Sequence, residues 1–207
     1  MSNQYRLNVS RFGTHNIIAK VIGDRNSLVL DVGCNKGYLK RLVPNNVFYG
    51  IDSCQGDLEV AAKEYAQTCC LNLNNPVDKI FNDIKFDFMV FGDVLEHLLK
   101  PEDVLNRFVN YSLKEDGVVI VSLPNVANFM IRIRLLFGNF DYADDGILDK
   151  THLHFYTVNT GLSLVKSSGL KVVEIKASSN YFGFLIKHFP FLASMLGHSL
   201  IFVCKKC

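Results

Sequence analysis

With 207 residues, 49% of them hydrophobic and 20% charged, the chain has the composition of one folded domain with a full core. Its 16 Phe and 8 Tyr exclude disorder as the dominant state, and a formal net charge of +2 gives no signal for a nucleic-acid scaffold. Apolar stretches stop well short of the roughly 18–20 residues a membrane span needs. The polar start, MSNQYRLNVSRFG, lacks a signal-peptide core, so a cytoplasmic protein is expected.

In chain order, residues 14–22 predict a short helix, followed by a compact apolar run, Leu28–Asp31, that stops at Gly33. A helix over 36–43 precedes a second run, Val47–Ile51, ending at Asp52, and Leu58–Gln67 has helical composition. Phe86–Phe91 and Gly117–Leu123 are further apolar runs, with a helical segment, Asp93–Tyr111, between them. Leu170–Lys176 and Ser199–Lys205 are candidate closing strands, the last suited to an antiparallel place. Continuous apolar strands alternating with helices predict a parallel sheet covered on both faces. The expected fold is therefore a doubly wound α/β domain spanning 1–207, with no repeat or linker to divide it.

Residues 124–157 break the alternation. A Pro124-Asn125 turn leads into a basic amphipathic stretch, Val126–Phe137, and then a loop of Gly, Asp and Tyr. Such an insertion at the carboxyl end of the sheet is an expected lid or acceptor platform. Arg132 and Arg134, two apart on a helix, cannot both face one site. The apolar stretch Tyr181–Leu196 fits a buried helix or hairpin better than a membrane contact. The six cysteines form no framework, since Cys69 and Cys70 are adjacent and Cys204 to Cys207 is the only C-x-x-C. A zinc ribbon needs a second such pair, so free thiols are expected.

The sharpest local feature is Leu28 to Leu39, where a strand ends in Asp31 and a Gly-containing turn opens a helix. Gly33 and Gly37 allow tight turns and close backbone approach to a ligand. Twenty-one positions on, the second strand ends at Asp52, whose carboxylate can accept from both hydroxyls of a ribose. A dinucleotide site wants G-x-G-x-x-G around a pyrophosphate. Here the spacing is G-x-x-x-G, with Asn35 and Lys36 inside it, and Asp31 would oppose a pyrophosphate. The same Asp31 suits a cofactor carrying an ammonium and a sulfonium, which points to S-adenosylmethionine.

These residues resemble the class I S-adenosylmethionine-dependent methyltransferases over most of the chain. Leu30-Asp31-Val32-Gly33-Cys34-x-x-Gly37 is similar to their first motif, and Gly50-Ile51-Asp52 to their ribose-binding motif. Cys70-Leu71-Asn72-Leu73 falls where an Asp-Leu pair commonly contacts adenine, and Gly92-Asp93-Val94-Leu95-Glu96-His97-Leu98 is similar to the motif after the fourth strand. The resemblance implies a mostly parallel, seven-stranded Rossmann-like sheet with the insertion after the fifth strand. It implies cofactor contacts from Asp31, Gly33, Cys34, Asn35, Gly37, Tyr38, Asp52, Ser53, Asn72, Leu73 and Asp93. Asn35 stands where the family commonly has Gly, and Asn72 where it has Asp. Leu123-Pro124-Asn125-Val126-Ala127, Phe140-Asp141-Tyr142 and Leu148-Asp149-Lys150-Thr151-His152-Leu153 resemble a bacterial subgroup associated with glycan or lipopolysaccharide assembly. The implied acceptor is a small or glycan-linked hydroxyl, and the implied protein a monomer or dimer.

Asp93, Glu96 and His97 stand at i, i+3 and i+4, one face of a helix. Asp-x-x-Glu reads as a capping box. It reads alternatively as part of a divalent-cation cluster completed by His152, an arrangement similar to that of small-RNA and quinone-precursor O-methyltransferases. His152 suits general-base work on a hydroxyl, against a structural role in the insertion. A cofactor-binding regulatory or partner subunit without turnover is the runner-up, and a nicotinamide oxidoreductase is disfavoured by the glycine spacing.

Overall fold

The computed structural model describes residues 10–75, 80–81, 84–179 and 181–207. Most of the polar N-terminal stretch singled out above lies outside them. Among the described residues seven strands form one sheet in the order β3-β2-β1-β4-β5-β7-β6. They are β1 (Leu28–Val32), β2 (Val47–Asp52), β3 (Gln67–Cys70), β4 (Phe86–Gly92), β5 (Leu113–Pro124), β6 (Leu170–Ser178) and β7 (Ser199–Lys206). The first five run parallel, but β7 pairs antiparallel with both β5 and β6. The sheet is therefore mixed where a mostly parallel one was expected, and β7 is the strand that the sequence suited to an antiparallel place. After β6 the chain crosses no face of the sheet, but turns back through short helices and enters between β5 and β6.

Because side chains alternate across a strand, neighbouring residues feed opposite cores. Val29, Phe48, Val90, Ile120 and Ile201 pack with α1 (Thr14–Ile22), α2 (Tyr38–Leu42) and α3 (Gln55–Ala61). Leu30, Phe91, Val121 and Phe202 pack on the other face with α4 (Pro101–Ser112) and α6 (Val158–Ser167). Gly161 lets α6 approach the sheet, since a Cβ there would lie 2.5 Å from the Phe202 ring.

Residues 125–157 connect β5 to α6 and contain α5 (Phe129–Leu136). The Asn128 side chain caps α5 by accepting from Met130 N. This segment has its own small core of Ile131, Ile147 and Leu148. The six cysteines are free thiols. The stretch 181–196 departs from the expected burial. It forms α7 (Gly183–His188), a short 3-10 turn and α8 (Ala193–Leu196), and it leaves Tyr181, Phe184 and Phe191 largely exposed. Its elements are too short to bury more than one side: Gly183, Ile186, Ala193 and Leu196 are buried, and Leu192 packs partly against the core.

Candidate active site

The strand order reverses between β1 and β4, and a crevice opens beyond their carboxyl ends. A cavity of about 170 Å³ lies there, and Asp31, Gly33, Cys34, Asn35, Tyr38, Asp52 and Asp93 line it together. Gly37, Ser53, Asn72, Leu73 and His152 do not line it. Ser53 and Asn72 are exposed, with the Asn72 Oδ1 accepting from Asn74 N, and Leu73 belongs to the core. Arg132 and Arg134 are exposed, Arg132 donating to the Ala127 carbonyl and Arg134 facing Asp141 at 3.4 Å.

The turn after β1 is wound by three left-handed residues, Gly33 (φ 75°), Asn35 (φ 46°) and Gly37 (φ 76°). At Gly33 a Cβ would lie 2.1 Å from Val94 Cγ2, so only glycine fits against that wall. Asn35 adopts its positive φ with its own Oδ1 accepting from Lys36 N. The turn is tied across to β2. Gly33 N and Cys34 N donate to the Ile51 carbonyl, and Asn35 N donates to Asp52 Oδ2 at 2.8 Å. Asp52 Oδ1 accepts from Cys54 N, which fixes the carboxylate while leaving each oxygen able to accept a further hydrogen bond.

Asp31 is 4% exposed and accepts a 2.7 Å hydrogen bond from the Tyr65 hydroxyl. Burial pushes its carboxyl up to about 7, although the Tyr65 hydrogen bond pulls the other way. Sequence reading did not find Tyr65. Its ring lies against both Gly37 and Gly50, where a Cβ would come within 2.9 and 2.7 Å of ring carbons. A glycine inside the apolar run of β2 was the available signal of that close approach. Burial also raises the Cys34 thiol well above its usual range, which suits a wall of the cavity better than a nucleophile.

An amino-acid ammonium held by Asp31 needs the carboxylate, so binding below neutrality must first remove a proton. The affinity for S-adenosylhomocysteine is therefore expected to be about tenfold weaker at pH 6 than at pH 8. The fold has the opposite dependence. A folded-state value above the unfolded one means that this group's contribution to ligand-free stability is lost as pH rises from about 4 to about 7. Titration calorimetry and thermal melts across pH 5–8 check both signs; a flat affinity profile would detach Asp31 from the ligand.

The helix expected over Asp93–Tyr111 is present only from Pro101 onward. Pro101 begins α4, and its ring disfavours helical geometry at Lys100, leaving a single 3-10 turn at Leu95–His97. The capping box does not form either. Asp93 sits at φ 51°, its N–H donates to Ser122 Oγ, and its Oδ1 accepts from the same hydroxyl. Glu96 points instead into the protein, 1% exposed, and neither carboxylate oxygen has a hydrogen-bond partner among the described residues. Burial, and then the charge of Asp93, hold its carboxyl well above the usual range.

The Glu96 turn anchors the 125–157 segment, because its carbonyl accepts from both Leu153 N and His154 N. His154 Nε2 donates to the Leu98 carbonyl, a bracing role. His152 Nδ1 donates to the Ile147 carbonyl at 3.1 Å, which leaves the Nε2 lone pair facing Glu96 Oε1 at 3.9 Å. Its side chain is 5% exposed, and burial, then His97, lower its basicity. Glu96, His97 and His152 offer ligand atoms within 4.8 Å of one another and could hold a divalent ion; Asp93 stands outside that group. His15, on the first turn of α1, also lines the cavity and was not singled out from sequence. Burial lowers it while the charge of Asp93 raises it.

A search of curated proteins gives no match. Solved structures with the same fold include magnesium protoporphyrin IX methyltransferase from Synechocystis PCC 6803 with bound S-adenosylhomocysteine, at 14% identity and a TM-score of 0.66, covering 94% of this chain and 82% of that one. A possible histamine N-methyltransferase from Thermotoga maritima shares 16% identity at a TM-score of 0.64, covering 94% and 88%. A TehB-like S-adenosylmethionine-dependent methyltransferase from Corynebacterium glutamicum shares 16% at 0.59, covering 93% and 87%. A profile of the methyltransferase domain matches residues 2–175. The two fixed carboxylates, the left-handed turn and this match agree, and the chain belongs to the methyltransferase domain family, with S-adenosylmethionine as its cofactor.

Proposed function

We propose that the protein transfers a methyl group to a hydroxyl of a small or carrier-linked acceptor, in the manner of the glycan-assembly subgroup its insertion resembles. The observation that carries the reading is the pairing of Asp31 and Asp52 across one cavity at the sheet's switch point. The cofactor supplies a methyl already activated on a sulfonium. The chain's part is alignment, which contributes on the order of 7 kcal/mol when two reactants are held in line. Asp31 opposes the ammonium, and Asp52 accepts from the ribose. Asp93, held by Ser122, lines the same cavity.

For the acceptor proton, His152 is the proposed base, a neutral imidazole with one free lone pair. That lone pair can take a proton or hold a divalent ion with Glu96 and His97, but not both at once. His15 is the second reading, favoured because it lines the cavity itself. A cofactor-binding partner subunit without turnover would find its support in Asn35, which stands in place of the family's glycine. Asn35 adopts the left-handed geometry that glycine would supply there, so this substitution supports no loss of binding.

Thermal melts with S-adenosylhomocysteine test the site. A ligand selective for the native state raises the melting temperature by mass action. Asp52→Ala is expected to remove most of that shift, and an unchanged shift would place the ribose elsewhere. Turnover against a panel of sugar and lipid-linked hydroxyls then separates enzyme from partner subunit.

A further inference from the structure

Two segments at the carboxyl edge of the sheet turn large apolar side chains to solvent. Within α5 only Ile131 is buried, while Leu136 is 81% exposed and Phe137, just beyond it, 75%. Around α7 and α8, Tyr181 is 90% exposed and Phe191 75%. The segments are joined at their roots. Phe129 meets Phe182 edge to face at 5.5 Å, and the Asn125 and Asn128 side-chain amides both donate to the Gly197 carbonyl. Apolar surface gathered in this way, rather than scattered singly, marks an interaction face.

The charge on the two segments themselves has one sign. Arg132 and Arg134 are the only charged residues in 125–140 and Lys187 the only one in 179–198, whereas Lys205 and Lys206 lie at the other end of β7 and Lys176 pairs with Glu174. Beyond α5, Asp141 faces Arg134 and Asp144 faces Lys150. A second copy of the chain would bring cation against cation. An anionic phospholipid surface complements both features, because Phe, Leu and Tyr enter the boundary between headgroups and acyl chains while Lys and Arg stay at the phosphates. Among the described residues no helix is long and apolar enough to cross a membrane, and short helices with exposed apolar residues fit contact with its surface.

The face begins beside the cavity. Thr14, on the cavity wall, donates to Ser178 Oγ at the end of β6, and Gly183 packs so closely on Phe12 that a Cβ would lie 2.2 Å from its ring. We propose that α5 and the α7–α8 segment seat the protein on an anionic bilayer and that the methyl acceptor is a hydroxyl carried by a membrane lipid. The acceptor half of this rests on the methyl-transfer reading; the docking half does not.

Sedimentation with vesicles tests the docking directly. Phosphatidylcholine vesicles containing about 30 mol% phosphatidylglycerol should bind the whole protein at least about tenfold more tightly than phosphatidylcholine alone, and salt should release it. Phe184→Ser with Phe191→Ser should abolish binding, and Arg132→Glu with Lys187→Glu should reduce it about tenfold or more. All four positions are exposed, and an unchanged S-adenosylhomocysteine melting shift certifies each variant as folded. Absent binding to anionic vesicles, or binding that folded variants retain, overturns the proposal. So does a dimer that the Phe variant dissociates in the absence of vesicle binding, since the face would then belong to a second copy. Vesicle binding without any S-adenosylhomocysteine shift in the parent protein would uphold the docking and remove the methyl-transfer reading instead.

Discussion

Asp31→Asn is expected to weaken S-adenosylhomocysteine binding at pH 8 by about a hundredfold, near 3 kcal/mol, while leaving the ligand-free fold at least as stable. The two effects have opposite signs because one carboxylate serves two states. In the free protein it is buried, with the Tyr65 hydroxyl donating to it and its pKa pushed up to about 7. Its ionised form is therefore a burden on the fold above neutrality. Asparagine keeps an oxygen for the Tyr65 hydroxyl and removes that burden, but it offers an ammonium no charge. Calorimetric affinity and denaturant unfolding at pH 8 measure the two sides. Equal affinity in parent and variant would place the ammonium away from Asp31.

His152→Ala is expected to keep S-adenosylhomocysteine affinity within about threefold, because the cofactor-side carboxylates lie on other elements. Turnover should fall about a hundredfold or more if His152 takes the acceptor proton. The contrast is His15→Ala, which lines the cavity. A large loss there with a small loss at His152 would move the base to α1. A purely bracing His152 gives a third pattern, a stability loss of about 1–3 kcal/mol from the missing hydrogen bond to Ile147, with turnover falling only as the segment loosens. Melting temperature, affinity and turnover on one preparation tell these apart.

The strands that carry the cofactor residues were legible because each is a continuous apolar run. β1, β2, β4 and β5 sit close to where the pattern places them, and the residues at their carboxyl ends come together as expected. β3 was missed for a physical reason. Gln67–Cys70 is an edge strand with partly exposed residues, and QTCC has no apolar run to show it. The helix expected over Leu58–Gln67 starts earlier, at Gln55, and ends at Ala61, which frees Tyr65 to reach Asp31. Contacts made across the fold escaped sequence reading altogether. Tyr65 and Asp31 are 34 positions apart, and His152 meets Glu96 only because the 125–157 segment folds back on the turn after β4. The stretch 181–196 was misjudged because apolar composition alone does not say whether a core is available to cover it.

The antiparallel strand has a consequence for how the chain is made. Among the described residues β6 pairs only with β7, and β7 fills the place beside β5. During synthesis from the N-terminus, β5 is thus an unpaired edge, and β6 an unattached strand, until residues 199–206 emerge. The half that holds Asp31, Asp52 and Asp93 needs only β1 to β5, all of which are already out by then. Nascent chains therefore pass through an interval in which the cofactor half has its strands while a long apolar edge lies open, the form most exposed to pairing with another chain. The eight-residue strand β7 closes that edge and brings its own Phe202 ring under Gly161 of α6 in one step.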